Sequence, residues 1–261
     1  MKKIVLVLLM VFMPQSSRPD NGIDIVYSLS SEQIMNNFTL IDLTQIVHPD
    51  IPTWDMTCGY YIKTMRDYKH CEGDFKFRSQ ELDIRASAGT HMDSPAHCFE
   101  GAKDISEFTV QELVSLCVVI DVSDRDQERY KVSVEDIKHF ESKYGVIQSG
   151  TFVLFNTGWS KYWDTPKKYH NNLVFPSVSA PAAQLLLERD IRGIGIDTLS
   201  PDCDEKGSFV HAILLGANKY IIENVAHIDQ MPPIGAYIWV MPLKVAGAAE
   251  SPVRLVGFVK K

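Results

Sequence analysis

The sequence predicts a mixed α/β or α+β domain, and three observations lead there. Short apolar and β-branched runs of strand length recur from residue 40 to the C-terminus, and helix-like stretches with capping signals lie between them. No linker, repeat or composition shift interrupts the chain from Phe38 onward, so residues 38–261 read as one domain. The chain has 261 residues, 45% hydrophobic and 23% charged, which is enough to bury a sizeable core and excludes disorder and low complexity.

In chain order, the first feature is N-terminal. Lys2 and Lys3 precede an uninterrupted apolar run from Ile4 to Met13, and Pro14-Gln15-Ser16-Ser17 breaks it. Charged, then apolar, then small and polar is the order of a secretory signal, so residues 1–17 are expected to be a signal peptide and the protein to be exported, periplasmic or secreted. An apolar first strand or a membrane anchor are the other readings. Ten apolar residues are too few to span a bilayer, so no stable membrane span is expected. Strand signals follow at Leu40–Ile46, Val118–Val122, Thr151–Phe155, Gly193–Ile196, Tyr237–Met241 and Val253–Val259. Phe75–Arg78 and Leu82–Ile84 alternate apolar with polar residues, which suggests an exposed strand or hairpin leading into Ala86. Ser133-Val134-Glu135-Asp136 has the form of a capping box and starts a helix running to about Tyr144. Ser179 to Arg189 reads as a second helix and Phe209–Leu215 as a third.

Composition narrows the function. The formal net charge is −7 and no block of five Lys/Arg occurs, so nucleic acid is not an expected partner. The five cysteines, at 58, 71, 98, 117 and 203, contain no C-x2-C pair, which argues against a cysteine zinc site. There is no G-x-S-x-G elbow, no Walker A loop and no G-x-G-x-x-G turn.

The densest chemical signal is Ser87-Ala88-Gly89-Thr90-His91-Met92-Asp93-Ser94-Pro95-Ala96-His97. On an extended backbone His91 and Asp93 project to the same side, which aims a nitrogen and an oxygen donor at one point, as a Zn or Mn site requires. Without further context a surface salt bridge or a turn is the favoured reading of the pair. A second segment, His211 to Glu223-Asn224, sets a histidine and a carboxylate at the two ends of an apolar stretch, where each borders buried chain and needs a partner or a metal. A helix-capping histidine and a surface glutamate would give the same pattern.

The segment from Gly89 to His97 resembles the H-x-G-T-H-x-D-x-P-x-H signature of the cyclase-like metal-dependent hydrolases, a family that includes bacterial kynurenine formamidases and isatin hydrolases. Further segments match in family order: Ile41-Asp42-Leu43-Thr44, Pro52-Thr53-Trp54, Asn156-Thr157-Gly158-Trp159, Gly195-Ile196-Asp197-Thr198, His211, Glu223-Asn224, and Gly247 through Pro252-Val253-Arg254. The resemblance implies a swivelling β/β/α fold, a homodimer or homotetramer, and hydrolysis of a C–N bond in a small aromatic or cyclic amide at a divalent metal, Zn or Mn. N-formylkynurenine is the named candidate substrate. Carried over residue by residue, His91, Asp93, His211 and Glu223 are the expected metal ligands and His97 the general acid or base. Thr90 and Ser94 would orient the ligands or simply shape the turn. Trp54 and Trp159 lie in matched segments and are candidates for a substrate-binding wall.

The chain departs from the signature at its first histidine, which is Ser87 here. A hydroxyl is a weak ligand beside an imidazole. Four donors therefore remain, an expectation of one tightly held ion per subunit rather than two. The alternative function is an exported small-molecule binding protein that keeps the fold and pocket and has lost turnover with that histidine.

Overall fold

The strand Phe152–Asn156 explains the architecture best, because it is buried on both faces. Phe152 and Leu154 pack into one apolar cluster, with Met92, Tyr220, Ile222, Ile238 and Leu255. Val153 and Phe155 pack into another, with Ile137, Phe140, Ala182, Leu186, Val210 and Leu214. A strand that must satisfy two cores loses the polar–apolar alternation of a half-solvated strand and reads as a continuous apolar run.

The computed structural model describes residues 36–125, 128–203 and 209–261; the expected signal segment, residues 1–17, lies outside them. Twelve strands are formed among the described residues: β1 (Phe38–Asp42), β2 (Tyr60–Arg66), β3 (Ser79–Ile84), β4 (His91–Asp93), β5 (Val114–Asp121), β6 (Lys131–Val132), β7 (Phe152–Asn156), β8 (Ser177–Val178), β9 (Gly193–Ile196), β10 (Tyr220–Glu223), β11 (Ala236–Pro242) and β12 (Glu250–Lys260). The helices are α1 (Val134–Tyr144), α2 (Pro166–His170), α3 (Ala180–Glu188) and α4 (Phe209–Gly216). The main sheet has the order β1-β12-β11-β5-β7-β9-β10-β4, and β4 also pairs with β12. That last pairing closes seven strands into a barrel and leaves β1 as an added edge strand. Strands β5, β7, β9 and β10 run parallel, and the remainder of the ring is antiparallel. The expected single α/β domain is the observed one.

The ring has two sides with different chemistry. Its interior is filled by the first cluster, and α1, α3 and α4 cover the parallel strands through the second. Helix α1 begins at the expected Ser133, whose hydroxyl accepts from Asp136 N while the Asp136 carboxylate accepts from Ser133 N. Ser179 caps α3 in the same position. Gly193 and Gly195 alternate with Ile194 and Ile196 on β9 because the interior has no room for a side chain there. A Cβ on Gly193 would lie 2.4 Å from the Tyr220 carbonyl oxygen, and one on Gly195 would lie 2.6 Å from Leu154 Cδ2.

Two expectations shift. The exposed hairpin pairs β2 with β3, so Phe75–Arg78 lies in the connection and not in a strand. Strand β10 was not separable by periodicity from the apolar helix before it, since four residues are too few to show a period.

Gly193→Ala should destabilise the protein by about 2–3 kcal/mol, as the new methyl must push β9 from β10 or distort Phe152. Urea unfolding of the purified variant measures this, and wild-type stability would show that the ring has slack at that point.

Candidate metal centre

Strand β4 sets the site through its alternation. Met92 points into the barrel and is fully buried there, so His91 and Asp93 project from the outer face. Pairing then supplies the neighbours: Glu223 on β10 stands directly opposite His91, and Glu250 on β12 directly opposite Asp93. His211, in the first turn of α4, comes down on this face from above. The four expected ligands converge. His91 Nε2 lies 3.5 Å from Asp93 Oδ1 and 3.3 Å from Glu223 Oε2, and His211 Nε2 lies 3.4 Å from Asp93 Oδ2 and 3.3 Å from Glu223 Oε1.

Both imidazoles are held in one orientation from behind. His91 Nδ1 donates to the Gly89 carbonyl at 2.9 Å, and the same oxygen accepts from Asn224 Nδ2 at 2.9 Å. Gly89 takes φ +68, and a Cβ there would meet Val47 Cγ2 at 2.9 Å, so the residue must be glycine on both counts. Thr90 Oγ1 donates to the Asn224 carbonyl at 2.6 Å and accepts from Gln45 N at 2.9 Å, which ties β4 to the exits of β10 and β1. Ser94 Oγ donates to the Ala249 carbonyl, anchoring the short helical turn Pro95–His97 beside β12. His211 Nδ1 donates to Asp202 Oδ2 at 2.7 Å, and the same carboxylate accepts the Val210 and His211 backbone N–H groups. Asp202 thus caps α4 and turns the ring so that Nε2 and its lone pair face Asp93 and Glu223, the arrangement in which imidazole is a ligand.

The donor set calls for a cation. Asp93 Oδ1, Asp93 Oδ2 and Glu223 Oε1 are buried and have no hydrogen-bond partner among the described residues. Orphaned carboxylate oxygens of this kind are costly unless a positive charge stands between them. The imidazoles respond in the same sense. Burial opposes a charge on His91, but the Asp93 and Glu223 carboxylates push its pKa up to about 10. Burial also opposes the charge on His211, which Asp202, Asp93 and Glu223 nevertheless hold well above the ordinary histidine range. Burial would raise Glu223, and the two imidazoles instead bring it down to about 2. Asp93, His211 and Glu223 form one group whose donor atoms suit a metal ion, and His91, Asp93 and Glu250 form another.

The cluster floors a cavity of about 450 Å³ whose walls include Trp54, Ser87, His97, Cys98 and Leu199. Trp54 is half-exposed at the rim, and His170 Nε2 donates to its backbone carbonyl. His97 is partly exposed to the cavity, with Nδ1 3.8 Å from Glu250 Oε1 and its ring 5.7 Å from that of His211. Ser87 also lines the cavity. Trp159 does not line it. Its ring is buried, with Nε1 donating to the Tyr169 carbonyl at 2.9 Å, so the expected substrate wall is instead part of a structural corner. The matched segments around it have the same role: buried Asp197 accepts from Thr157 N, Thr157 Oγ1, Trp159 N and Ser160 N. A larger cavity of about 720 Å³, near His48, Lys161 and His227, shares no lining residue with this cluster. Glu250 and Asp202 are the site residues that sequence reasoning missed.

Similarity to known proteins agrees with this geometry. A family model described as putative cyclase matches residues 41–203. The chain belongs to the cyclase family. Among the relatives in this family, the isatin hydrolase of Roseibium aggregatum is 26% identical over 255 residues, covering 89% of this chain and 96% of that protein. The kynurenine formamidase of Bacillus mycoides is 27% identical over 219 residues, covering 83% and 95%. The solved structure of isatin hydrolase A from Ralstonia solanacearum superposes with a TM-score of 0.79 at 26% identity, over 94% of this chain and all of that one. A further cyclase-family neighbour, 25% identical with a TM-score of 0.69, is described as a potential metal-dependent hydrolase with cyclase activity. The chain is accordingly a cyclase-family metal-dependent hydrolase by kinship.

Asp202→Asn should leave the protein folded and weaken metal binding about 10- to 100-fold, because His211 loses the carboxylate that orients it. Titration calorimetry with Zn²⁺ or Mn²⁺ reads this, and unchanged affinity would mean that Asp202 serves only to cap α4.

Proposed function

We propose that this protein hydrolyses a C–N bond in a small aromatic or cyclic amide, with N-formylkynurenine and isatin as the first compounds to test. The carrying observation is the convergence of His91, Asp93, His211 and Glu223, with three orphaned carboxylate oxygens, at the floor of a cavity rimmed by Trp54. A divalent ion bound there would lower the pKa of a water molecule toward neutrality and polarise an amide carbonyl.

The chain's own groups account for the rest of the chemistry. His91 and His211 present Nε2 as donors because Gly89 O and Asp202 hold their Nδ1 protons. His97 lines the cavity, and its ring makes no hydrogen bond among the described residues, so its imidazole can take the proton of the attacking water and return it to the departing nitrogen. Water adds to the carbonyl carbon, the C–N bond breaks, and the nitrogen leaves as a neutral amine. Trp54 and Leu199 offer apolar surface for a flat substrate.

Purified protein should release product from N-formylkynurenine or isatin when Zn²⁺ or Mn²⁺ is supplied, and not after chelation. Failure with both compounds under both metals, while metal still binds, would favour the binding-protein reading. His97→Ala should keep its metal and lose roughly two to four orders of magnitude in turnover, the range of a lost general acid–base. A variant within threefold of wild type would remove His97 from the chemistry.

The same reading includes a homodimer or homotetramer. It is supported by the half-exposed outer faces of β11 and β1, where Tyr237, Trp239, Met241 and Leu40 stand in the open. Sedimentation at micromolar concentration should find no free monomer, and a monomer throughout would reject the assembly.

A further inference from the structure

Glu250 is the member of the cluster to which neither the sequence signature nor the resemblance assigns a role. It is the first residue of β12 and pairs directly with Asp93 on β4, so two carboxylates face each other across an antiparallel pair. Like charges in that position repel and destabilise a sheet. Elsewhere a β12 residue pairs a carboxylate with a base, as Arg254 does with Asp42 of β1. The groups around Glu250 are different: its Oε1 lies 3.9 Å from His91 Nε2 and 3.8 Å from His97 Nδ1, and no Lys or Arg forms an ion pair with it among the described residues. Asp93, its partner, is 1% exposed and leaves both carboxylate oxygens without a hydrogen bond.

The carboxylates also divide their oxygens between two sides. Asp93 turns Oδ1 toward His91 and Oδ2 toward His211, and Glu223 turns Oε2 toward His91 and Oε1 toward His211. On the His211 side the donor group is complete with Asp93 and Glu223. On the His91 side it is completed by Glu250, with His91, Asp93 and Glu250 donor atoms all within 4.8 Å of one another. The expectation of one ion rested on four donors after the loss of a histidine at Ser87. The structure shows a fifth donor, brought in from the opposite end of the sequence.

We propose that Glu250 is a metal ligand and that it builds, with His91 and Asp93, a second cation seat beside the seat formed by Asp93, His211 and Glu223. The substitution at position 87 is thereby compensated by an oxygen donor from β12. One imidazole with several carboxylate oxygens is a hard set that suits Mn²⁺. Asp93 is common to both seats, so two ions held there would share a carboxylate. The proposal rests on the metal-dependent reading given above.

The test counts ions rather than product. Chelator-stripped wild-type protein and Glu250→Gln are titrated with Mn²⁺ alone, and free Mn²⁺ is followed by its electron paramagnetic resonance signal. Wild type should take up two Mn²⁺ per chain and show the broadened spectrum of spin-coupled ions; Glu250→Gln should take up one, with the affinity of the remaining ion within threefold. Thermal melting gives a second reading that does not depend on a loaded site. Without metal, Glu250→Gln should melt higher than wild type because the repulsion of Asp93 is gone, and saturating Mn²⁺ should raise the wild-type midpoint by the larger amount. One ion in wild type, or two in the variant, overturns the second seat while leaving a metal-dependent hydrolase intact. No Mn²⁺ or Zn²⁺ bound by wild type would reject both.

Discussion

Two buried carboxylates with unmatched oxygens, Asp93 and Glu223, are the constraint on which the site is built. In a protein interior an unpaired carboxylate costs several kcal/mol, and two within reach of one another cost more. The chain surrounds them with imidazoles, and the upward displacement of both histidines expresses how strongly this pocket demands positive charge. A protonated imidazole answers that demand only by giving up its lone pair. A divalent ion answers it and leaves both Nε2 atoms free to donate, which is why the same geometry reads as a metal centre and not as a buried ion-pair network.

The barrel is what holds those carboxylates in place. Strand β4 has only three residues, yet it bridges β10 and β12 and so closes the ring. Its central residue, Met92, is locked into the interior, and the period of two then fixes His91 and Asp93 outward without further choice. A one-residue slip of β4 would turn a methionine toward the metal cavity and two charged groups into the apolar core, so the register that closes the ring also assembles the ligands. The glycines of β9 belong to the same argument, because without a clear interior Phe152 and Leu154 could not keep β7, β9 and β10 at their spacing.

Much of this was legible in the sequence, and the reasons differ by element. Caps announce themselves locally, so Ser133 and Ser179 placed their helices to within a residue. Gly193–Ile196 was read with its observed limits because a doubly buried strand has a composition of its own. The pair His91 and Asp93 was readable because its spacing matches the strand period. Glu250 and Asp202 were not. Glu250 reaches Asp93 only through the β12–β4 pairing, a contact between distant parts of the chain that no local pattern encodes. Asp202 acts through hydrogen bonds to α4 that exist only once the helix has docked.

Trp159 shows the opposite limit, where resemblance located a residue and suggested the wrong kind of role. The segment Asn156-Thr157-Gly158-Trp159 follows β7, and Asp197 follows β9, its parallel neighbour. Asp197 is buried with no basic partner among the described residues, and burial raises its pKa, so its carboxylate depends on the donors around it. Those donors are the backbone N–H groups of Thr157, Trp159 and Ser160 and the Thr157 hydroxyl. The two motifs therefore explain one another as a single hydrogen-bonded corner. That corner reaches the metal centre through Tyr169, whose hydroxyl contacts both the Asp197 carbonyl and the Asn224 side chain. Asn224 in turn donates to the Gly89 carbonyl, the oxygen that fixes the tautomer of His91. The indole thus bears on the chemistry indirectly, by fixing the loop from which a chain of hydrogen bonds runs to the ligand, while Trp54 at the rim is left as the aromatic surface a substrate would meet.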